Sequence, residues 1–90
     1  MRIVHALLKG AVEAATTVRG SHLLHDLLWA HATPGDGVQH IAVRPVPDGM
    51  EATFFLTASS DEAALGRARE LLQRARAPIA AQGLTALLPA

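Results

Sequence analysis

Five histidines are the side chains of this 90-residue sequence best suited to bind a metal ion or to move a proton. His22 and His25 lie three positions apart in a predicted helix, and Asp26 follows His22 by one turn. Zinc accepts imidazole and carboxylate ligands, but a pair of histidines fills at most half of a tetrahedral shell, and the sequence has no HExxH pattern. We therefore predict no metal and no cofactor, and we expect these side chains to lie on an exposed helix face.

Ionisable side chains of the predicted strands form a second group. On the sheet described below, four of them share one face: His5, His40, Arg44 and Glu51. Such a group permits acid–base chemistry, but no nucleophile with an orienting base accompanies it, so the sequence predicts no catalytic residue. His31 differs from the other histidines because it lies among leucines. Its ring is expected to hydrogen-bond a backbone carbonyl at the edge of the core.

The single tryptophan, Trp29, falls among the polar residues of the same predicted helix. Tryptophan is enriched in protein contact sites, so Trp29, His22 and His25 form a candidate secondary contact surface. The alternative is that the indole packs against the loop at Pro34 or against the C-terminal tail. The sequence leaves both interpretations open.

The overall charge argues against a nucleic-acid or membrane partner. Eight basic and eight acidic residues give a formal net charge of zero, whereas surfaces that bind polyanions are usually basic. The arginines of the second predicted helix are then expected to form a solvated face: Arg67, Arg69, Arg74 and Arg76. The chain has no cysteine, which excludes disulfide bonds and thiolate metal sites.

The apolar residues at the start of the chain raise the question of a signal peptide. His5 and Lys9 interrupt the run before it reaches the length of a signal sequence. The run is also far shorter than a membrane span. We therefore expect a cytoplasmic protein.

The chain is organised around a predicted β-hairpin, residues 38–46 and 50–58, joined by a Pro-Asp-Gly turn. Alternate residues of the second strand are apolar, which is the period of a half-buried strand. If Pro47 opposes Met50, the covered face is wholly apolar: Ile41, Val43, Pro45, Met50, Ala52, Phe54 and Leu56. Shifting the pairing by one residue would bury Arg44 without a partner, which is costly. We therefore predict the register in which Pro47 opposes Met50.

Four further elements are expected: a strand over residues 2–13, helices over 16–33 and 59–77, and an edge strand over 84–88. Residues 2–13 also fit a helix, but Gly10 and the missing N-cap favour the strand. The first helix would bury Leu23, Leu24, Leu27, Leu28 and His31. The second helix would bury Ala64, Leu65, Ala68, Leu71, Leu72 and Ala75.

The ends of the two helices carry their own signals. Thr16, Thr17 or Ser21 would cap the first helix. Ser59 and Glu62 have the spacing of a capping box for the second helix, and Pro78 is expected to end it. Within the second helix, Glu70 and Arg74 are placed to form an ion pair.

This order of elements, strand–helix–strand–strand–helix–strand, predicts an α+β fold. It resembles the ferredoxin-like split βαβ fold (β-α-β-β-α-β) across nearly the whole chain, at the level of element order. The resemblance implies an antiparallel sheet with two helices on one face. Residues 1–90 would then form a single domain with one modest core.

Since both helices would cover one face of the sheet, the other face is expected to be open. Phe54 and Phe55 point to opposite faces, so only one ring can enter the core. An apolar centre with a polar rim would make the open face an interface: Ile3, His5, Leu7, His40, Arg44, Val46, Glu51 and Phe55. The leading hypothesis is a non-enzymatic interaction or regulatory module that forms a homodimer or binds a protein partner. The alternative is a small-molecule-binding protein or small dimeric enzyme with a pocket at this face.

Overall fold

A computed structural model describes residues 1–10 and 18–88 of the chain. Seven helices and strands follow in order: β1 (Arg2–Gly10), α1 (Val18–His31), β2 (Val38–Val46), β3 (Gly49–Leu56), α2 (Asp61–Arg74), α3 (Arg76–Ala81) and β4 (Leu84–Leu87). A single 3-10 turn, Pro34–Asp36, connects α1 to β2. No helix in these two ranges is long and apolar enough to cross a membrane.

The strands form one antiparallel sheet in the order β2-β3-β1-β4, so the predicted α+β class is confirmed. The prediction of a first strand is confirmed over Arg2–Gly10, because β1 pairs with β3 on one side and with β4 on the other. Residues 11–13 of that predicted strand, and the proposed caps Thr16 and Thr17, lie outside the described residues. The element order differs from the six-element prediction because a third helix, α3, precedes β4.

One face of the sheet packs against the helices and forms the core. The period of two along each strand places its buried residues on that face: Val4, Ala6, Leu8, Ile41, Met50, Ala52, Phe54, Leu56 and Leu84. The helices contribute Leu24, Leu28, Ala64, Ala68, Leu71, Leu72, Ala75 and Ile79 to the same cluster. The predicted apolar stripe of the second helix is therefore confirmed, with Leu65 half-buried at its border.

The hairpin has the predicted alternation of faces but a different register. Of the residues predicted on the covered face, Val43 is only half-buried and Pro45 is exposed. Pro45, not Pro47, opposes Met50, so the pairing is two residues from the prediction and the connection is Pro47-Asp48. Gly49 lies in β3 because it pairs with Lys9 of β1. A Cβ atom on Gly49 would lie 1.9 Å from the carbonyl oxygen of Leu8, so only glycine fits at this close approach.

The buried stripe of α1 is displaced from the prediction. Ser21, Leu24 and Leu28 are buried, whereas Leu23 is 51% exposed. Successive helix residues are about 100° apart, so a stripe centred on Leu24 and Leu28 turns Leu23 towards solvent. Ser21 lies inside the helix rather than at its N-cap.

The boundaries of α2 also differ from the prediction. The backbone N–H of Ala63 donates to Ser60 Oγ at 3.0 Å, so Ser60, rather than Ser59, is the N-cap. The helix ends at Arg74, before Pro78 is reached. Pro78 instead lies in the first turn of α3, where a missing N–H removes no helical hydrogen bond.

The loop between α1 and β2 is held by a buried carboxylate. Asp36 is 3% exposed, and its Oδ2 accepts hydrogen bonds from the Thr33 backbone N–H at 2.8 Å and from the Thr33 hydroxyl at 3.2 Å. The guanidinium of Arg74 forms an ion pair with the same oxygen and donates to the carbonyl of His31 at 3.2 Å. Arg74 is thus directed to this loop rather than to Glu70, and the predicted Glu70–Arg74 pair is wrong.

Candidate functional site

The sheet face opposite the helices carries all eight of the predicted interface residues. We define the open sheet face by its outward side chains: Ile3, His5, Leu7, Lys9, His40, Ala42, Arg44, Val46, Glu51, Thr53, Phe55, Thr85 and Leu87. Most of these alternate along their strands with residues that enter the core. Val46 is an exception, because its neighbours Pro45 and Pro47 are exposed. The same alternation that builds the core therefore builds this face.

An apolar row crosses one end of the open sheet face. Ile3 opposes Phe55, and Phe55 opposes His40 on its other side. The rings of His40 and Phe55 have centroids 5.5 Å apart, and Phe55 is half-buried. Ile3 is 56% exposed. The aromatic ring is thus partly covered by its neighbours, whereas the isoleucine side chain faces solvent.

Two polar pairs cross the middle of the face. His5 Nδ1 lies 3.1 Å from the hydroxyl of Thr53, its partner across the strands. Arg44 Nε donates to Glu51 Oε1 at 2.8 Å. This hydrogen bond, helped by the positive charge of Arg44, lowers the pKa of Glu51 below its usual value. The same hydrogen bond raises the pKa of Arg44.

A second apolar contact lies towards the β4 edge of the sheet. Leu7 opposes Leu87, and Leu87 is 44% exposed. A shallow hollow of about 300 Å³ is lined here by Leu7, Leu87, Leu88, His5 and Glu51. Leu87 was not among the predicted interface residues, because its register depends on how β4 pairs with β1. The signal that could have placed Leu87 on this face was the period of two along the predicted edge strand, Leu84, Thr85, Ala86 and Leu87.

These rows change the expected layout of the face. Apolar residues were expected at the centre, with polar residues around them. Instead, the His5–Thr53 pair lies on the two central strands and separates the Ile3–Phe55 pair from the Leu7–Leu87 pair. Arg44 and Glu51 lie in the same row as Leu7 and Leu87. The face thus has two apolar patches with one polar pair between them.

The polar pairs do not form a recognisable catalytic arrangement. His5 contacts a hydroxyl, but no described side chain hydrogen-bonds its other ring nitrogen, which a catalytic base would need for orientation. In residues 1–10 and 18–88, no three histidine, aspartate or glutamate side chains converge as metal ligands would. What the face offers chemically is therefore apolar area and matched hydrogen-bonding groups.

The predicted secondary contact residues lie on α1, away from the open sheet face. Trp29 Nε1 donates to His25 Nε2 at 3.2 Å, and His25 Nδ1 lies 3.5 Å from Asp26 Oδ1. The indole is thus held by its own helix and remains 36% exposed, and His22 is exposed nearby. The expectation for His31 is confirmed, since its Nδ1 lies 2.9 Å from the carbonyl oxygen of Leu27.

Comparisons with protein-family models, with curated proteins and with solved structures find no match to this chain. The open sheet face itself is therefore the basis for proposing a function. Its distinguishing features are the exposure of Ile3 and Leu87 and the cross-strand pairing of His5 with Thr53 and of Arg44 with Glu51.

Proposed function

We propose that this chain is a non-enzymatic interaction or regulatory module that self-associates, or docks a protein partner, through the open sheet face. The observation that carries the proposal is the exposure of apolar side chains on a face that no described helix covers. Ile3 and Leu87 are 56% and 44% exposed, and each lies beside a second apolar side chain on the neighbouring strand. Burying a large apolar side chain fully is worth about 1.5–3 kcal/mol, so covering both patches would favour association.

The polar groups of the face support a second copy of the chain as the partner. Lys9, Arg44 and Glu51 give the face a formal charge of only +1 with neutral histidines, so two copies would repel each other weakly. Glu51 and Arg44 already bind each other within one chain. A sheet stacked on this face at about 10 Å would therefore not need to supply a counter-ion for either group.

We also propose a relationship to the ferredoxin-like split βαβ arrangement. The sheet order β2-β3-β1-β4 and the antiparallel pairing of all neighbours support it, with α3 as an added helix before the last strand. A cytoplasmic location stays a prediction from the sequence.

The second candidate function is binding of a small molecule between two such faces, in a binding protein or a small dimeric enzyme. The hollow beside Leu7 favours it, because His5 and Glu51 line the hollow together with apolar side chains. Ligand sites commonly combine an apolar lining with a few polar groups. This function also requires the open sheet face to be covered, so association is the first property to test.

The test is analytical ultracentrifugation of the wild type and two matched variants. Ile3→Glu places a charge on the open sheet face, whereas Leu23→Glu places one at a similarly exposed position on α1. We expect a wild-type dimer, dissociation to a folded monomer in Ile3→Glu, and an unchanged dimer in Leu23→Glu. Circular dichroism verifies that both variants are folded.

Two results together would contradict the proposal. The first is a wild type that stays monomeric at high concentration. The second is the absence of any host protein that the wild type captures and Ile3→Glu does not. A wild-type dimer that is dissociated by Leu23→Glu but not by Ile3→Glu would move the interface to α1.

A further inference from the structure

The four arginines of α2 and α3 divide into two pairs with different environments. Arg67 donates to the carbonyl of Gly35, and Arg74 binds Asp36 and the carbonyl of His31, so both hold the loop before β2. Arg69 and Arg76 are exposed and make no hydrogen bond or ion pair with any described residue. The first pair has a structural role, which the second pair does not share.

Arg69 and Arg76 lie at the border of a groove between α2, α3 and β4. The groove has a volume of about 500 Å³ and an apolar floor that includes Leu72, Ile79 and Leu84. No acidic side chain of residues 1–10 and 18–88 lines it, so the two arginines give this part of the lining a formal charge of +2. The volume falls within the range of about 300–1,000 Å³ that is usual for small-molecule sites.

We propose that this groove binds a small amphiphilic anion, a molecule with an apolar body and a single carboxylate or phosphate head. The apolar body would lie on the floor formed by Leu72, Ile79 and Leu84, and the head would meet Arg69 and Arg76 at the border. Guanidinium groups suit both kinds of head, because their planar array of N–H donors matches carboxylate and phosphate oxygens.

Charge complementarity selects this class of ligand over others. A neutral apolar ligand would use the floor but gain nothing from the two unpaired cations. A small hydrophilic anion would meet the arginines in water, where such contacts are weak and screened by salt. An amphiphilic anion uses both parts of the groove.

The groove lies mainly on the helix side of the sheet and reaches the open sheet face only at β4. Its floor residue Leu84 points to the helix side, whereas Thr85, which also lines the groove, points to the open face. Arg69 and Arg76 lie on α2 and α3 and are not part of the open sheet face, so the inference does not depend on the proposed function. Loss of these two arginines should leave the open sheet face intact.

The test is titration of the protein with decanoate below its micelle concentration, followed by two-dimensional amide NMR. Decyl phosphate and decanol, which have the same chain length, serve as the second anion and the neutral control. We expect shifts to concentrate in residues 69–84 with at least one of the anions. Decanol should bind roughly tenfold more weakly, since its neutral hydroxyl carries no negative charge to pair with the arginines.

Variants connect the binding to the two arginines. Arg69→Gln combined with Arg76→Gln should weaken binding of the anion by roughly tenfold, because both charge-assisted contacts are lost. Arg19→Gln removes an exposed arginine from α1 and is the matched control, for which we expect unchanged affinity. The double variant should keep the wild-type fold and oligomeric state, since neither arginine has a described partner.

Three results would overturn the inference. One is decanol binding as tightly as both anions, and another is equal weakening by the control variant. The third is the absence of shifts in residues 69–84, whether because nothing binds at millimolar ligand or because the shifts lie on the open sheet face.

Discussion

The two faces of the sheet are made by alternate residues of the same strands, yet they follow different rules of composition. The face towards the helices is wholly apolar, and its nine buried residues are at most 7% exposed. The open sheet face mixes charged, polar and apolar side chains. On that face, the polar pairs His5–Thr53 and Arg44–Glu51 occur beside the apolar pairs Ile3–Phe55 and Leu7–Leu87. Other cross-strand pairs are mixed, as in His40–Phe55 and Leu7–Glu51.

This difference in composition follows from the surroundings of each face. The covered face excludes water, so a polar side chain there would need a complete set of partners. On the open sheet face, two polar pairs, His5–Thr53 and Arg44–Glu51, hydrogen-bond across strands. The exposed apolar side chains Ile3 and Leu87 are the groups that would gain most from a partner. The proposed interaction rests on these exposed apolar side chains.

The largest expected effect comes from two neighbouring phenylalanines. Phe54 is fully buried, so Phe54→Ala should lower the free energy of unfolding by about 3–5 kcal/mol. Phe55→Ala removes a half-buried ring and should cost about 1 kcal/mol in dilute solution, where no association contributes. Urea denaturation followed by circular dichroism measures both values. Equal losses in the free energy of unfolding would contradict the difference between the covered face and the open sheet face.

A smaller effect is expected from the buried carboxylate on the helix side of the molecule. Asp36→Ala leaves the Thr33 N–H without its acceptor and Arg74 without its ion-pair partner. The expected loss is about 1–3 kcal/mol, the usual cost of leaving buried polar groups unsatisfied. Asp26→Ala, at an exposed position, is the control and should stay within about 0.5 kcal/mol of the wild type. A comparable loss in the free energy of unfolding in both variants would contradict a stabilising role for the Asp36 carboxylate.

The smallest effect concerns the carboxylate on the open sheet face. The pKa of Glu51 is lowered in the folded chain by Arg44, so the carboxylate stabilises the fold above the ordinary pKa of a glutamate. That contribution is lost as the pH falls through the lowered folded pKa. Arg44→Gln should therefore raise the pKa of Glu51, as measured by carbon NMR of the side-chain carboxyl. An unchanged titration would mean that the ion pair does not persist in solution.

Salt provides a further check on the same pair. The guanidinium and the carboxylate are both accessible to solvent, so salt should weaken their attraction. The pKa of Glu51 is expected to move towards its usual value as salt is added. Salt should affect the stability loss of Phe54→Ala much less, because that loss arises from apolar burial.

The sequence predicts the faces of the hairpin better than its pairing. Side chains alternate with a period of two, so registers that differ by two residues give the same faces. This is why Phe54 and Phe55 are correctly separated although Pro45, not Pro47, opposes Met50. In the observed register Gly49 lies close to the backbone of Leu8, a contact between distant parts of the chain that no local pattern contains.

Other errors also arise from contacts that are distant in sequence. Asp36 and Arg74 are 38 residues apart, and their ion pair takes Arg74 away from the helical neighbour that local spacing favours. A local signal for Asp36 did exist, because Thr33 and Asp36 have the spacing of a capping box. The contribution of Leu87 to the open sheet face required the pairing of β4 with β1, which the sequence alone did not specify.

The most direct test of the central claim measures whether solvent reaches the open sheet face in the assembled protein. Methyl NMR with a soluble paramagnetic agent reports the solvent exposure of Ile3, Leu87 and Leu23, which are 56%, 44% and 51% exposed in the single chain. In dilute solution the three should relax similarly. At high protein concentration, or with a captured partner, we expect Ile3 and Leu87 to become protected while Leu23 stays accessible. Equal relaxation of all three residues in the assembled state, or protection of Leu23 alone, would contradict the claim.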